Sequence, residues 1–139
     1  MIPAPATATP RILVIEDYSD TRELLSMLLR RHGYDVIEAE DGVEGLLKAS
    51  GNYPDLILMD LALPEMDGVE AARRIHKMPK LSNTPIVVLS AYLTEDVEAD
   101  VRLAGCVATF AKPFDTDVLL AKIKSTLADQ RHECQPQWP

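Results

Sequence analysis

LILMDLALPEMDG, residues 56–68, is the stretch whose reading decides how this chain folds. Its first four residues are apolar without a break, and the run stops on a carboxylate, Asp60. A short unbroken apolar run bounded by turn signals reads as a strand covered on both faces, the pattern of a parallel sheet. Pro64 and Gly68 then mark the turn away from it. A strand cap or a stray surface acid would account for Asp60 taken alone, so its meaning depends on what the rest of the chain brings to the same place.

Four further strands are read at residues 12–16, 35–39, 86–90 and 107–111, and residues 13–15 and 86–89 repeat the apolar pattern of 56–59. Segments of helical periodicity separate them. Asp20 followed by Glu23 signals a capping box for the first helix, with Gly33 at its end. Leu24, Leu25, Leu28 and Leu29 give that helix its apolar stripe. The second helix is expected near 42–50, and the third near 69–77, halted before Pro79. The fourth, near 95–104, has acids in its first turn and Gly105 after its last. The fifth, near 116–128, starts after Asp115 and has Val118, Leu119, Ile123 and Leu127 to pack. Strand and helix alternate five times, which predicts an α/β fold, a parallel sheet with helices on both faces. There is no internal repeat and no sign of a second domain. The expected organisation is a flexible Pro/Ala/Thr tail over 1–10, one domain over 11–128, and a C-terminal tail over 129–139 that carries Trp138. That tail is far too short for an output domain.

Composition narrows the function classes. A chain of 139 residues, 47% hydrophobic and 26% charged, suits one soluble domain with one core. No apolar run approaches the roughly 20 residues that span a bilayer, and MIPAPATATP lacks the basic start and apolar stretch of a signal peptide. Cys106 and Cys134 show neither metal spacing nor a disulfide framework, which fits a reducing cytoplasm. A net charge of −8, from 14 basic and 22 acidic residues, argues against a nucleic-acid partner. The one basic cluster, Arg30–Arg31–His32, suits the last turn of a helix, where cations complement the dipole.

In such a fold ligands bind beyond the carboxyl ends of the strands. Strand one ends at Glu16 and Asp17, strand three at Asp60 and strand four at Ser90, and strand five runs into Lys112. Carboxylates roughly 5 Å apart repel by about 3 kcal/mol at an effective dielectric of ~20, so three of them call for a cation. Oxygen donors suit a hard divalent ion, Mg²⁺ or a substitute such as Mn²⁺. A carboxylate beside such an ion can accept a phosphoryl group. Asp60 is then the nucleophile. Asp17, Asp60 and a backbone carbonyl hold the metal, with Glu16 acting through its waters. Ser90 donates to one phosphoryl oxygen and Lys112 pairs with another.

These residues resemble the receiver domain of two-component response regulators, of the stand-alone type. The likeness runs from about Arg11 to Ala128 and rests on VIEDYSD, LILMDLALPEMDG, VVLSA and FAKPF in that order. It implies a flavodoxin-like fold, a doubly wound five-stranded parallel sheet of order 2-1-3-4-5. It also implies phosphorylation of Asp60 by a histidine kinase or histidine phosphotransfer protein, and metal ligation by Asp17, Asp60 and the Ala62 carbonyl with Glu16 assisting. A cis Lys112–Pro113 bond, Asp67 as the cap of the third helix, and a signalling phosphoacceptor in place of a turnover enzyme are further implications. Output would pass by contact with a separate protein, and a phosphorylation-linked homodimer is compatible with the family. One position departs from the pattern: the aromatic residue of the family, three before the lysine, is Thr109 here. Phe110 beside it points to the opposite face of the strand, which leaves Tyr92 as a candidate mover or gate.

Three rival classes fit less well. Dehalogenase-like phosphatases want a second Asp where Ala62 stands, a P-loop needs a Gly-rich stretch where EDYSD stands, and flavin binding needs a phosphate loop there too. A receiver that works by binding alone, without phosphorylation, is the remaining alternative.

Overall fold

In a computed structural model, which describes residues 9–134, five strands form one parallel sheet in the order β2-β1-β3-β4-β5. The strands are β1 (Arg11–Ile15), β2 (Asp35–Ala39), β3 (Leu56–Asp60), β4 (Ile86–Ser90) and β5 (Ala108–Ala111). The helices are α1 (Ser19–Arg31), α2 (Gly42–Asn52), α3 (Gly68–His76), α4 (Glu95–Leu103) and α5 (Thr116–Cys134), with a 3-10 turn at Pro79–Leu81. This is the doubly wound, flavodoxin-like arrangement that the strand–helix alternation and the family likeness imply.

Period-two alternation within unbroken apolar strands serves two cores at once. Ile12, Val14, Leu56, Leu58, Val87 and Leu89 pack with Leu25 and Leu29 of α1 and Leu119, Ile123 and Leu127 of α5. Leu13, Ile15, Ile57, Met59, Ile86 and Val88 face the other way, onto Ala49 of α2, Ala71, Ala72 and Ile75 of α3, and Val101 and Ala104 around α4. β3, buried over all five residues, is the central strand. Among the described residues no helix is long and apolar enough to cross a membrane.

Several boundaries differ from the sequence reading. β1 is Arg11–Ile15, one residue earlier than expected, because Arg11 pairs with Asp35; Glu16 still donates its N–H to Ala39 O at 3.0 Å. β5 begins at Ala108 where 107 was expected. The first helix does not use the Asp20/Glu23 box: its cap position is Tyr18, no side chain caps it, and Asp20 lies inside the first turn. In its apolar stripe Leu25 and Leu29 are buried while Leu24 is exposed. α2 runs two residues past 50, α3 starts at Gly68 and ends at His76, and α5 continues from 128 to Cys134. The α5 extension is docked: Gln130 Nε2 donates to Asn83 O at 3.0 Å. Asp67 caps α3 by accepting from Glu70 N at 3.0 Å, as expected, and Asp115 accepts from Asp117 N and Val118 N at the start of α5. Arg30 and Arg31 occupy the last turn of α1. Trp138 lies outside the described residues.

Two details bear on α4. The ring of His76, at the end of α3, places Nδ1 3.0 Å from Ala104 O and Nε2 2.9 Å from Thr84 O, joining the last residues of two helices to the approach to β4. Gly105 lies beside it at φ +92, and a Cβ there would stand 2.7 Å from Nδ1, so a side chain at this position would be strained and would displace the ring.

Cys106 follows, half-buried and packed against the core. Burial pushes its thiol up from the ordinary 9.0 to about 11. At pH 8 such a thiol carries about a hundredth of the thiolate of an unburied one. Alkylation of Cys106 by iodoacetamide, followed by peptide mass spectrometry, is therefore expected to run about a hundredfold slower in native protein than in denaturant. Equal rates would contradict the burial.

Candidate functional site

The sheet order places β1 beside β3, with β2 on one side and β4 and β5 on the other. The chain thus winds in opposite directions from this pair, and the crevice beyond their carboxyl ends is the place such a fold leaves open for a ligand. Glu16 and Asp17 follow β1 and Asp60 ends β3. One carboxylate oxygen from each of the three lies within 4.8 Å of the others. Glu16 is 1% exposed and Asp60 5%, while Asp17 stands open at the mouth.

Lys112 closes the group from the far edge. Its N–H donates to Ser90 O at 2.8 Å, which extends the β4–β5 ladder and aims the side chain across the strand ends. Its Nζ donates to Glu16 Oε1 at 2.9 Å and to Asp60 Oδ2 at 3.0 Å. Burial alone would lower the lysine pKa, but the hydrogen bonds it donates to Glu16 and Asp60, and their charges, outweigh it and the value is raised, so the side chain is a fixed cation. Burial raises the pKa of Glu16, and the Lys112 and Tyr18 hydrogen bonds only partly offset that. The second oxygens are used as well: Glu16 Oε2 accepts from Tyr18 N at 3.1 Å, and Asp60 Oδ1 accepts from Ala62 N at 3.1 Å. The sequence places Lys112 as a positive charge near the three acids and as a partner for phosphate, but it does not single out Glu16; a partner 96 residues away leaves no local signal.

Ser90 is buried at the end of β4, and its hydroxyl is engaged locally, donating to Tyr92 O at 3.0 Å and accepting from Tyr92 N at 3.1 Å. Tyr92 is 82% exposed and meets Ser90 through its backbone. Lys112–Pro113 is cis, as the family likeness implies. Thr109 pairs with Val88 in the register and so lies on the α4 side of the sheet, where it lines a groove of about 320 Å³ with Glu98, Val101 and Arg102 of α4. Phe110 packs in the opposite core. The loop after Asp60 turns back sharply: Leu63 N and Gly68 N both donate to Leu61 O at 3.0 Å.

Three carboxylates and one ammonium leave two negative charges when all are ionised, and every donor is a hard oxygen. That set fits a divalent cation of the Mg²⁺ type and suits soft metals poorly.

Comparison with known proteins agrees with this geometry. The family model for the response regulator receiver domain matches residues 12–124. The polar-differentiation response regulator DivK of Brucella ovis is 32% identical over 121 residues, covering 87% of this chain and 98% of that protein. Among solved structures, the chemotaxis protein CheY4 of Vibrio cholerae superposes with a TM-score of 0.82 at 28% identity, covering 85% of this chain and 98% of that one. A CheY-like receiver domain protein of Methanospirillum hungatei gives 0.86 at 29% identity, covering 91% and 99%.

Proposed function

Because the chain belongs to the response regulator receiver domain family of two-component systems, we propose that it accepts a phosphoryl group on Asp60 and signals through phosphorylation-dependent contact with another protein in the cytoplasm. The donor is a sensor histidine kinase or a histidine phosphotransfer protein, and residues 11–128 form the working domain. One observation carries this reading: Lys112 holds both the Glu16 and the Asp60 carboxylates at the crevice where the sheet changes direction.

In the transfer, an Asp60 oxygen attacks phosphorus as the phosphorus–nitrogen bond to the donor imidazole breaks and its electron pair leaves with the ring. Asp17, Asp60 and the Ala62 carbonyl would hold Mg²⁺, or Mn²⁺ in its place, with Glu16 acting through water. When bound, the ion supplies charge neutralisation on the phosphoryl oxygens. Lys112, already at Asp60 Oδ2, pairs with one phosphoryl oxygen, and Glu16 keeps its ammonium aimed there. Ser90 supplies a hydroxyl donor to another. For that it must give up Tyr92 O, which frees the loop between β4 and α4. The population of α4 positions then shifts, which needs only a few kcal/mol of differential interaction.

Incubation with acetyl phosphate and Mg²⁺ tests the reading. A hydroxylamine-labile phosphate on Asp60 is the expected product. Thr109 favours a second reading, binding without phosphorylation, and an unmodified protein would select it. Metal binding has its own expected result. A ligand specific for the native state, at a hundredfold its Kd, adds about 2.7 kcal/mol. Mg²⁺ should therefore raise Tm by roughly 10 °C, and Asp17→Asn should remove most of the rise. A wild-type melt indifferent to Mg²⁺ would refute the ligand set.

A further inference from the structure

We propose that Arg22 is a positioning residue for the cation site, an inference that rests on the metal-dependent reading above and adds a residue to it. Arg22 lies in the first turns of α1 and reaches back over the turn that carries the acids. Its Nη1 donates to Glu16 O at 2.9 Å and lies 3.5 Å from Asp17 O, and its own N–H donates to Tyr18 O at 3.0 Å. One residue thus holds three successive carbonyls, 16 to 18. The guanidinium is braced from β2, where Glu38 Oε1 stands 3.4 Å from Nε, and its side chain is only 14% exposed.

This matters because of Asp17. Among the described residues no hydrogen bond or ion pair reaches its carboxylate, which stands exposed at the mouth of the crevice. Glu16 is fixed by Lys112 and Tyr18 N, and Asp60 by Lys112 and Ala62 N. The place of Asp17 is set by its backbone alone; Glu16 holds that backbone at Tyr18 N, and Arg22 is the side chain that holds its carbonyls at Glu16 and Asp17. Groups that hold a ligand residue in place affect metal affinity on the scale of about 10-fold or more when removed.

Charge and positioning make opposite predictions, which separates them. A guanidinium near a cation site repels the cation, so if charge were all that mattered Arg22→Gln would lower the Mg²⁺ concentration needed for half-maximal phosphorylation. Arg22→Lys, which keeps the charge, would leave it unchanged. Positioning requires both variants to raise that midpoint, by about tenfold, with the rate at saturating Mg²⁺ little altered. It also requires amide hydrogen exchange at residues 16–18 to quicken in metal-free protein while core amides of β3 hold their protection.

The experiment is an Mg²⁺ titration of phosphorylation from acetyl phosphate for wild type and both variants, with residue-resolved exchange on the metal-free proteins. Higher midpoints in both variants with local loss of protection support the proposal. A lowered midpoint in Arg22→Gln, an unchanged one in Arg22→Lys, or unchanged exchange at 16–18 overturns it. A wild type that takes no phosphate defeats the functional reading alone, because exchange, and Mg²⁺ titration followed by amide shifts, still decide the role of Arg22.

Discussion

Asp60→Asn is expected to abolish phosphorylation from acetyl phosphate, a fall of more than roughly a hundredfold, because loss of a covalent nucleophile acts on that scale or above. Asparagine matches aspartate in shape, its carbonyl can still accept from Lys112 or Ala62 N, and Glu16 keeps its own bond to Lys112. The fold should therefore survive, and circular dichroism with a Tm no lower than that of wild type is the control. What the amide lacks is a charged oxygen able to form an acyl phosphate. Intact-protein mass spectrometry before and after hydroxylamine reads the outcome. A variant that still gains a hydroxylamine-labile phosphate would move the acceptor to Glu16 or Asp17 and undo the assignment.

Gly68→Ala is expected to be the most disruptive small substitution near the site. A Cβ on Gly68 would stand 2.8 Å from Leu61 Cα and 2.9 Å from Asp60 O, and both are backbone atoms of the segment that carries the acceptor. Neither can step aside without moving the end of β3. Forcing a methyl group into closed packing costs about 2 kcal/mol, or roughly 8 °C in Tm for a domain of this size. Gly45 offers a useful contrast, since the three atoms nearest a Cβ there all belong to one side chain, with Ile15 Cδ1 at 2.6 Å. A side chain can tilt, so Gly45→Ala should cost about half as much, and it should leave phosphorylation intact where Gly68→Ala impairs it. Thermal melts paired with acetyl phosphate assays check both. A Gly68→Ala protein melting within about 2 °C of wild type would show that the loop yields.

How far the sequence foretold this depends on whether the cause of each feature is local. β3 and β4 were readable because strands buried on both faces leave unbroken apolar runs, and Asp60, Ser90 and Lys112 were readable because strand ends are where this topology gathers ligands. The start of α5 after Asp115 was readable because a cap is chemistry within three residues, whereas the Asp67 cap was implied by the family likeness. The start of α1 was misread for the converse reason: the turn ahead of it is held by Glu16 and Arg22, not by Asp20. The extra turns of α5 rest on a bond from Gln130 to a loop 47 residues earlier. The same holds for the bond between Lys112 and Glu16, and for Arg22 itself, whose place over the acids exists only once α1 is docked beside β1.

The His76 ring has a mechanical consequence. It fastens the far end of α4, at Ala104, to α3 and to the approach to β4. The near end begins at Thr94, just past the Ser90–Tyr92 loop. A rod of nine residues, about 13 Å long and held at its far end, would swing more readily than slide if its near end were pushed. A shift of 1 Å at Thr94 then becomes a tilt of about 4° over that length. On the proposed function, a displacement presented along α4 would then be graded, largest beside Tyr92 and vanishing toward Gly105.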